Sequence, residues 1–188
     1  YSINTPSDYK AENIEFFSDR VEYDLNGSHI VFHIPGGFSV YNSLCAMGAV
    51  CSLGFDFGDV VKAVAGATMV KGRLELLKTN TDFGVIIDYA HTPESMENII
   101  KHYYDLNPNN LYILFGFGGN KDINKRSKML DIAYKYSNNI ILTEDNSRNE
   151  KFKDIIFFNV WKAMAMSKEP IEADRKFWFD KDLINHDF

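Results

Sequence analysis

The sequence has little cysteine, no cluster of basic residues and no long apolar run. Its two cysteines, Cys45 and Cys51, lie six residues apart in a helical segment, so they face different sides and cannot pair locally. We therefore expect reduced thiols rather than a disulfide or a metal site. No apolar stretch reaches the ~20 residues that cross a bilayer, and the first residues do not begin a signal peptide. These absences predict a cytoplasmic protein with no membrane partner.

The charge of the chain is acidic and spread along the sequence. The formal net charge is −6 over 188 residues, which argues against a nucleic-acid partner. Apolar residues make up 45% of the chain, enough for a globular core. The length fits one ordinary domain, or one domain with a smaller piece. A phosphate-bearing ligand would have to be small and held locally.

The first part of the chain predicts an antiparallel hairpin followed by helices. Asn26-Gly27, a pair favoured in type I′ turns, separates two strand-like segments, residues 21–25 and 29–34. His29 and His33 fall on one face of the second segment. Because a third ligand is missing, we interpret them as ordinary hairpin side chains and not as a metal site. Helices are expected over residues 41–53 and 59–65.

From residue 74 onward, strand-like and helix-like segments alternate. This pattern indicates β-α-β crossovers and predicts an α/β fold with a Rossmann-like, mainly parallel sheet. Residues 85–87 are β-branched, as in a strand buried on both faces, and residues 92–95 read as a helix start. Residues 176–188 show no clean period and receive no assignment. Strands are expected over residues 74–78, 85–88, 111–115 and 140–143, and helices over residues 93–104, 125–136 and 153–164.

Three polar loops each follow a predicted strand, so they should meet at the edge of the sheet where ligands of α/β folds bind. The histidine loop is residues 88–91. The glycine loop, residues 116–122, allows close backbone approach to a ligand, and cations follow it at residues 125–126. The acidic loop, residues 144–150, has one guanidinium among carboxylates and amides, a set suited to a zwitterionic amino acid.

Each loop also has a plainer interpretation. Asp88 would fit a helix cap, and His91 a half-exposed loop side chain. The glycine loop would fit a simple turn, and the acidic loop a solvated helix cap. The occurrence of all three at one edge favours a ligand site.

Five motifs, in order along the chain, resemble those of the Mur ligases. They are GFSVYNSL (37–44), GRLE (72–75), DYAHTP (88–93), FGFGGNKD (115–122) with the Lys-Arg pair after it, and DNSR (145–148). The resemblance runs from about residue 1 to 175. The last motif resembles the tripeptide-forming branch, whereas the third is shared with folylpolyglutamate and cyanophycin synthetases. The resemblance implies two parts: residues 1–72, the end of the central ATP-binding domain, and residues 73–188, a truncated C-terminal domain.

The resemblance implies an ATP-dependent amide ligase of peptidoglycan precursor synthesis. In this family ATP with Mg²⁺ phosphorylates a carboxylate of the acceptor, here UDP-MurNAc-L-Ala-D-Glu, the UDP-MurNAc-dipeptide. The amine of a diamino acid then attacks the acyl phosphate, so the protein supplies charge neutralisation and positioning more than a nucleophile. The arginine of the last motif implies meso-diaminopimelate, because it can pair with the distal carboxylate. The alternative substrate, L-lysine, lacks that group.

By resemblance, eight residues form the binding site, and none is assigned as catalytic or as a metal ligand. The residues expected around ATP are Asn42 at the adenine, Arg73 and His91 at the phosphates, and Asp88 at the ribose. The residues expected to hold the amino acid are Lys121, Asp145, Asn146 and Arg148.

The chain also departs from the family pattern. Asn120-Lys121 stands where the family has Asp-Arg, so the charge is kept but the bidentate fork is lost, and Ser147 replaces a proline. The Gly-Lys-Thr/Ser phosphate loop, the central-domain lysine region and the late Gly-Lys-Gly-His-Glu motif are absent from the sequence. We therefore expect a ligase fragment without ATP turnover of its own. The alternatives are a folylpolyglutamate- or cyanophycin-type ligase, and a non-catalytic module that self-associates through exposed sheet edges.

Overall fold

Contacts along the chain separate two units, Tyr1–Ala90 and His91–Phe188, which are described in turn. The structure is a computed structural model that describes residues 1–77, 79–151, 154–155 and 177–179, the last three by their backbone alone. The domain boundary that the resemblance implies after residue 72 stays a prediction.

The first unit is built on an antiparallel sheet in the order β1-β2-β3. β2 and β3 form the predicted hairpin. Both turn residues, Asn26 (φ 50°) and Gly27 (φ 79°), are left-handed, as a type I′ turn requires. Tyr23 and alternate residues of β2 are buried, so this strand faces the core with every second side chain. The strands are β1 (Glu12–Phe16), β2 (Val21–Leu25) and β3 (Ser28–Phe32).

Two helices, α1 (Gly37–Ser52) and α2 (Phe57–Ala65), complete this core. α1 begins four residues before the predicted start, after Gly36 turns the chain at φ 94°. Its apolar residues meet the sheet, and the buried Tyr23 hydroxyl and Ser43 Oγ lie 2.7 Å apart in a hydrogen bond. Both cysteines are free; Cys45 is exposed and Cys51 is partly buried. The core residues include Val21, Tyr23, Leu25, Ile30, Val40, Leu44, Met47 and Val60.

The short strands β4 (Glu75–Leu77) and β5 (Val85–Ile87) pair antiparallel, with Glu75 opposite Ile87. The prediction that residues 85–87 form a parallel strand buried on both faces is therefore wrong. Ile87 is 43% exposed, and in the described residues β5 pairs with β4 alone. A β-branched run fits any strand, so its composition does not distinguish parallel from antiparallel pairing.

The second unit contains the predicted parallel sheet, in the order β6-β7-β8. Phe117 pairs with Glu144, so β6 and β7 end at the same level. β8 falls in the aromatic tail that the sequence left unassigned. Most of the helix expected over residues 153–164 lies outside the described residues. The strands are β6 (Tyr112–Phe117), β7 (Asn139–Glu144) and β8 (Phe177–Phe179).

The helices α3 (Pro93–Asp105) and α4 (Asn124–Tyr136) pack in this unit. The predicted start of α3 is confirmed by a capping box. Thr92 Oγ1 accepts from Ser95 N at 3.2 Å, and Ser95 Oγ accepts from Thr92 N at 3.1 Å. In the described part of the chain, no helix is long and apolar enough to cross a membrane. The core residues include Met96, Ile100, Phe117, Met129, Leu130, Ala133, Ile140 and Leu142.

Candidate functional site at the ends of β6 and β7

The glycine loop and the acidic loop lie against each other where β6 and β7 end. Gly119 N donates to Asn146 O at 2.8 Å. A Cβ on Gly119 would lie 1.8 Å from Ser147 O, so only glycine fits at this position. Of the three loops expected at one edge of a parallel sheet, the glycine loop and the acidic loop meet as predicted. The histidine loop instead follows β5, which pairs with β4 in a two-stranded antiparallel sheet of the first unit. The close backbone approach of the glycine loop, however, is made to the acidic loop of the same chain.

A bidentate ion pair between Arg126 and Glu150 joins the two loops. Arg126 Nη1 donates to Glu150 Oε2 at 2.8 Å, and Nη2 donates to Oε1 at 3.0 Å. Nη2 also donates to Gly118 O at 3.1 Å. Asn120 N donates to the same carboxylate. The Arg126 guanidinium, followed by the Asn120 amide, holds the pKa of Glu150 below its usual value.

The burial of Arg126 changes its interpretation. Its side chain is only 2% exposed, whereas the sequence suggested a cation available to a ligand's phosphate or carboxylate. Sequence reasoning missed that its carboxylate partner is Glu150 of the same chain. The two residues are 24 positions apart, beyond the reach of any local pattern, and only the opposite charges at the ends of two adjacent crossover loops hinted at the contact.

Three of the four residues expected to hold an amino acid surround Gly118. A Cβ placed on Gly118 would lie 3.6 Å from Asp145 Oδ2, 3.7 Å from Lys121 Cδ and 3.8 Å from Asn146 O. Arg148, the fourth, lies two residues further along the acidic loop with φ 51°, and its N–H donates to Asn146 Oδ1 at 3.2 Å. All four residues are exposed. A carboxylate, an amide and two cations are thus open to solvent on adjoining loops.

Within the histidine loop, Asp88 belongs to the first unit and is occupied by backbone amides. Its Oδ2 accepts from Leu74 N at 2.8 Å, and its Oδ1 accepts from Ala90 N at 2.7 Å. Asp88 therefore ties the end of β5 to the residue before β4, and the plainer interpretation as a helix cap is wrong, because Thr92 caps α3. Beside it, the Arg73 guanidinium lies 4.9 Å from the Tyr89 ring centroid.

The other two residues expected around ATP, Asn42 and His91, belong to different units of the chain. Asn42 is exposed on α1 of the first unit. His91 opens the second unit and is exposed, and its main-chain oxygen accepts from Lys125 Nζ at 3.0 Å. The structure thus brings His91 to the start of α4, next to the glycine loop in the chain. It also brings Arg73 and Asp88 into one neighbourhood of the first unit.

A parallel sheet with polar loops at its carboxyl edge is typical of ligand-binding α/β domains. Comparison with known proteins identifies the family. The family described as Mur ligase, glutamate ligase domain, matches residues 72–158. The chain belongs to the Mur ligase family and carries its C-terminal domain.

Individual relatives within the Mur ligase family are similar to this chain over most of its length. The chain is 39% identical over 154 residues to the UDP-N-acetylmuramoyl-L-alanyl-D-glutamate–2,6-diaminopimelate ligase of Syntrophomonas wolfei, covering 80% of the chain and 32% of the relative. It is 36% identical over 160 residues to the ligase of the same name from Halalkalibacterium halodurans, covering 83% and 33%. The chain thus spans about a third of the length of these curated relatives. A solved structure with that ligase name aligns at a TM-score of 0.61 and 26% identity, over 96% of the chain and 37% of that structure.

Proposed function

We propose that this chain is part of an ATP-dependent ligase that adds meso-diaminopimelate to UDP-MurNAc-L-Ala-D-Glu. Relatives named for this activity, at 36% and 39% identity, support the proposal. The observation that carries it is the set of exposed side chains on the two joined loops. These are Lys121, Asp145, Asn146 and Arg148.

The chemistry of this set matches a diamino dicarboxylic acid. Asp145 offers a carboxylate to an ammonium group of the substrate. Arg148 offers a planar fork to the distal carboxylate, and Lys121 offers a single positive charge to the other carboxylate. Asn146 holds the turn through Arg148 N and keeps its side-chain N–H donors for the ligand. L-Lysine would leave the Arg148 fork unpaired, so the site should reject it.

The nucleotide would be held by a second set of residues, three of them in the first unit and His91 in the second. Arg73 and His91 are exposed and suited to phosphate. The Asp88 oxygens each accept one amide and keep lone pairs for the ribose hydroxyls, while Asn42 would meet the adenine. Mg²⁺ would neutralise phosphate charge on ATP. In the described ranges no group of three His, Cys, Asp or Glu residues could hold a metal, so we assign no protein ligand to it.

Two further expectations belong to the same proposal. ATP and a nucleotide-linked acceptor imply that the protein works in the cytoplasm. Self-association through exposed sheet edges stays a prediction, and sizing of the chain in solution would test it.

Calorimetry with two amino acids tests the proposal. We expect meso-diaminopimelate to bind the 188-residue chain at least about tenfold more tightly than L-lysine, because hydrogen bonds between charged groups contribute roughly 1.5–3 kcal/mol. Arg148→Ala should remove this preference. Lys128→Ala, which deletes an exposed cation of α4 outside both loops, should keep it. Equal affinities in the wild-type chain, or a preference that survives Arg148→Ala, would contradict the proposal.

A further inference from the structure

The buried Arg126 and its partner Glu150 make contacts that bear on substrate selection. We propose that they are positioning residues, which fix the acidic loop against the glycine loop and thereby set where Arg148 meets the distal carboxylate of a diamino dicarboxylic acid. This inference rests on the proposed function of the acidic loop. Neither residue is expected to touch the substrate.

The hydrogen bonds of Arg126 are directed to the two loops. Its Nη atoms donate to Glu150 and to Gly118 O. Its buried Nε has no hydrogen-bond partner in the part of the chain that the structure describes. With 2% exposure, the guanidinium is shielded from water, so solvent competes little for these bonds. A cation in this state is unsuited to binding a ligand that exchanges with solvent.

The Glu150 carboxylate is the meeting point of both loops. It accepts two bonds from Arg126 and a third from Asn120 N in the glycine loop. Glu150 N donates to Ser147 O at 3.0 Å, which closes a turn over residues 147–150. One carboxylate therefore joins the buried guanidinium, the backbone of the glycine loop and the turn that carries Arg148.

Arg148 lies between two anchors. On one side, Asn146 O accepts from Gly119 N at 2.8 Å, and on the other side Glu150 is held by Arg126. With both neighbours fixed, the backbone at Arg148 is held in its left-handed conformation, φ 51°. Without the second anchor the turn would keep one attachment only. Because a misplacement of about 1 Å can cost orders of magnitude in a positioned interaction, we expect selectivity to suffer first.

If the ion pair only stabilised the fold, its loss would affect ligand binding differently than if it positioned Arg148. Loss of stability alone lowers the folded fraction, which reduces the apparent affinity for every ligand by the same factor. Loss of positioning affects the ligand that uses Arg148 most. The ratio of the affinities for meso-diaminopimelate and L-lysine therefore separates the two roles.

The test compares Glu150→Ala, Glu150→Gln and Arg126→Lys with the wild-type chain by calorimetry with both amino acids. We expect Glu150→Ala to lower the affinity ratio about tenfold or more. Glu150→Gln keeps an acceptor for Asn120 N, so it should retain part of the ratio, as should Arg126→Lys, which keeps the charge. Asp105→Asn, which breaks the exposed Lys101–Asp105 pair of α3 in the same unit, is the matched control and should leave the ratio unchanged.

Several results would overturn the inference. A wild-type ratio in Glu150→Ala, or an equal loss in the Asp105→Asn control, would do so. If Glu150→Ala does not fold, then Glu150→Gln and Arg126→Lys decide, and an unchanged ratio in both refutes the role.

A ligand-free readout separates this inference from the proposed function. If the wild-type chain shows no preference between the amino acids, the proposed function fails. The amide chemical shifts of Gly119 and Asn120, measured by NMR without ligand, then test whether Arg126 and Glu150 hold the two loops together. We expect these resonances to shift in Glu150→Gln and to stay in place in Asp105→Asn. Resonances that do not move in Glu150→Gln would show that no anchor exists.

Discussion

Two adjacent glycines in the glycine loop meet different surroundings. Gly119 faces the backbone of Ser147, where a Cβ would lie 1.8 Å from the carbonyl oxygen. Around Gly118 the nearest atoms would lie 3.6 Å or more from a Cβ, which is ordinary van der Waals distance. The sequence shows two glycines in a row, and only the contact with the acidic loop tells which of them is required.

This difference gives a matched pair of variants. We expect Gly119→Ala to force the acidic loop away and to destabilise the chain by about 1–3 kcal/mol, with a melting temperature lower by roughly 2–4 °C per kcal/mol. Gly118→Ala should melt close to the wild-type temperature, because its methyl group has room. Thermal denaturation followed by circular dichroism would measure both. Similar melting temperatures for the two variants would show that the loops do not touch at Gly119.

At the scale of elements, the β2–β3 hairpin carries a histidine between two carboxylates. His29 Nδ1 lies 3.0 Å from Asp24 Oδ1, and Nε2 lies 3.4 Å from Glu22 Oε2. The hydrogen bond with Asp24, with a smaller contribution from Glu22, raises the pKa of His29 above its usual 6.5. The predicted absence of a metal role for this histidine stays a prediction. Its partners make it an ion-pair residue of the hairpin.

This raised pKa predicts a pH-dependent contribution to stability. A histidine whose pKa is higher in the folded state stabilises fully below the unfolded value, about 6.5, and loses the effect as pH rises through the folded value. We expect the wild-type advantage over His29→Gln in urea denaturation to decrease between pH 6 and 9. His29 is 58% exposed, so the advantage should be small and should shrink in 1 M salt. An advantage that grows with pH would contradict the assignment.

Elements with local signals were predicted best. The Asn-Gly turn of the β2–β3 hairpin and the Thr92 capping box are chemistry within a few residues, and both are as expected. Pairing was harder. Residues 85–87 pair antiparallel with β4, and residues 177–179 add a parallel strand beside β7, because strand partners are chosen by packing far away in sequence.

At the scale of the whole molecule, the chain covers about a third of its curated relatives, and the phosphate-binding Gly-Lys-Thr/Ser turn is absent from its sequence. That turn supplies the backbone N–H groups and the lysine that hold ATP phosphates. The residues of this chain that we assign to ATP can contribute contacts without supplying that phosphate cradle.

We therefore expect no ATP-dependent phosphate release by the 188 residues alone, with UDP-MurNAc-L-Ala-D-Glu, meso-diaminopimelate and Mg²⁺ present. A colorimetric phosphate assay would measure it, with the curated Syntrophomonas wolfei ligase as the positive control. Phosphate release that requires both the acceptor and the amino acid would refute this expectation.

The sequence by itself determined most elements from β2 to β7, the α/β class and the ligase motifs, because these depend on periodicity, turn chemistry and short runs of residues. Only the tertiary structure decided which polar side chains are exposed to solvent and which are paired within the chain. Arg126 and Arg148 are both arginines beside β-strand ends, yet one is buried on Glu150 and the other is exposed. The physical reason is that burial and charge pairing arise between residues distant in sequence, once the parallel pairing of β6 with β7 brings their loops together.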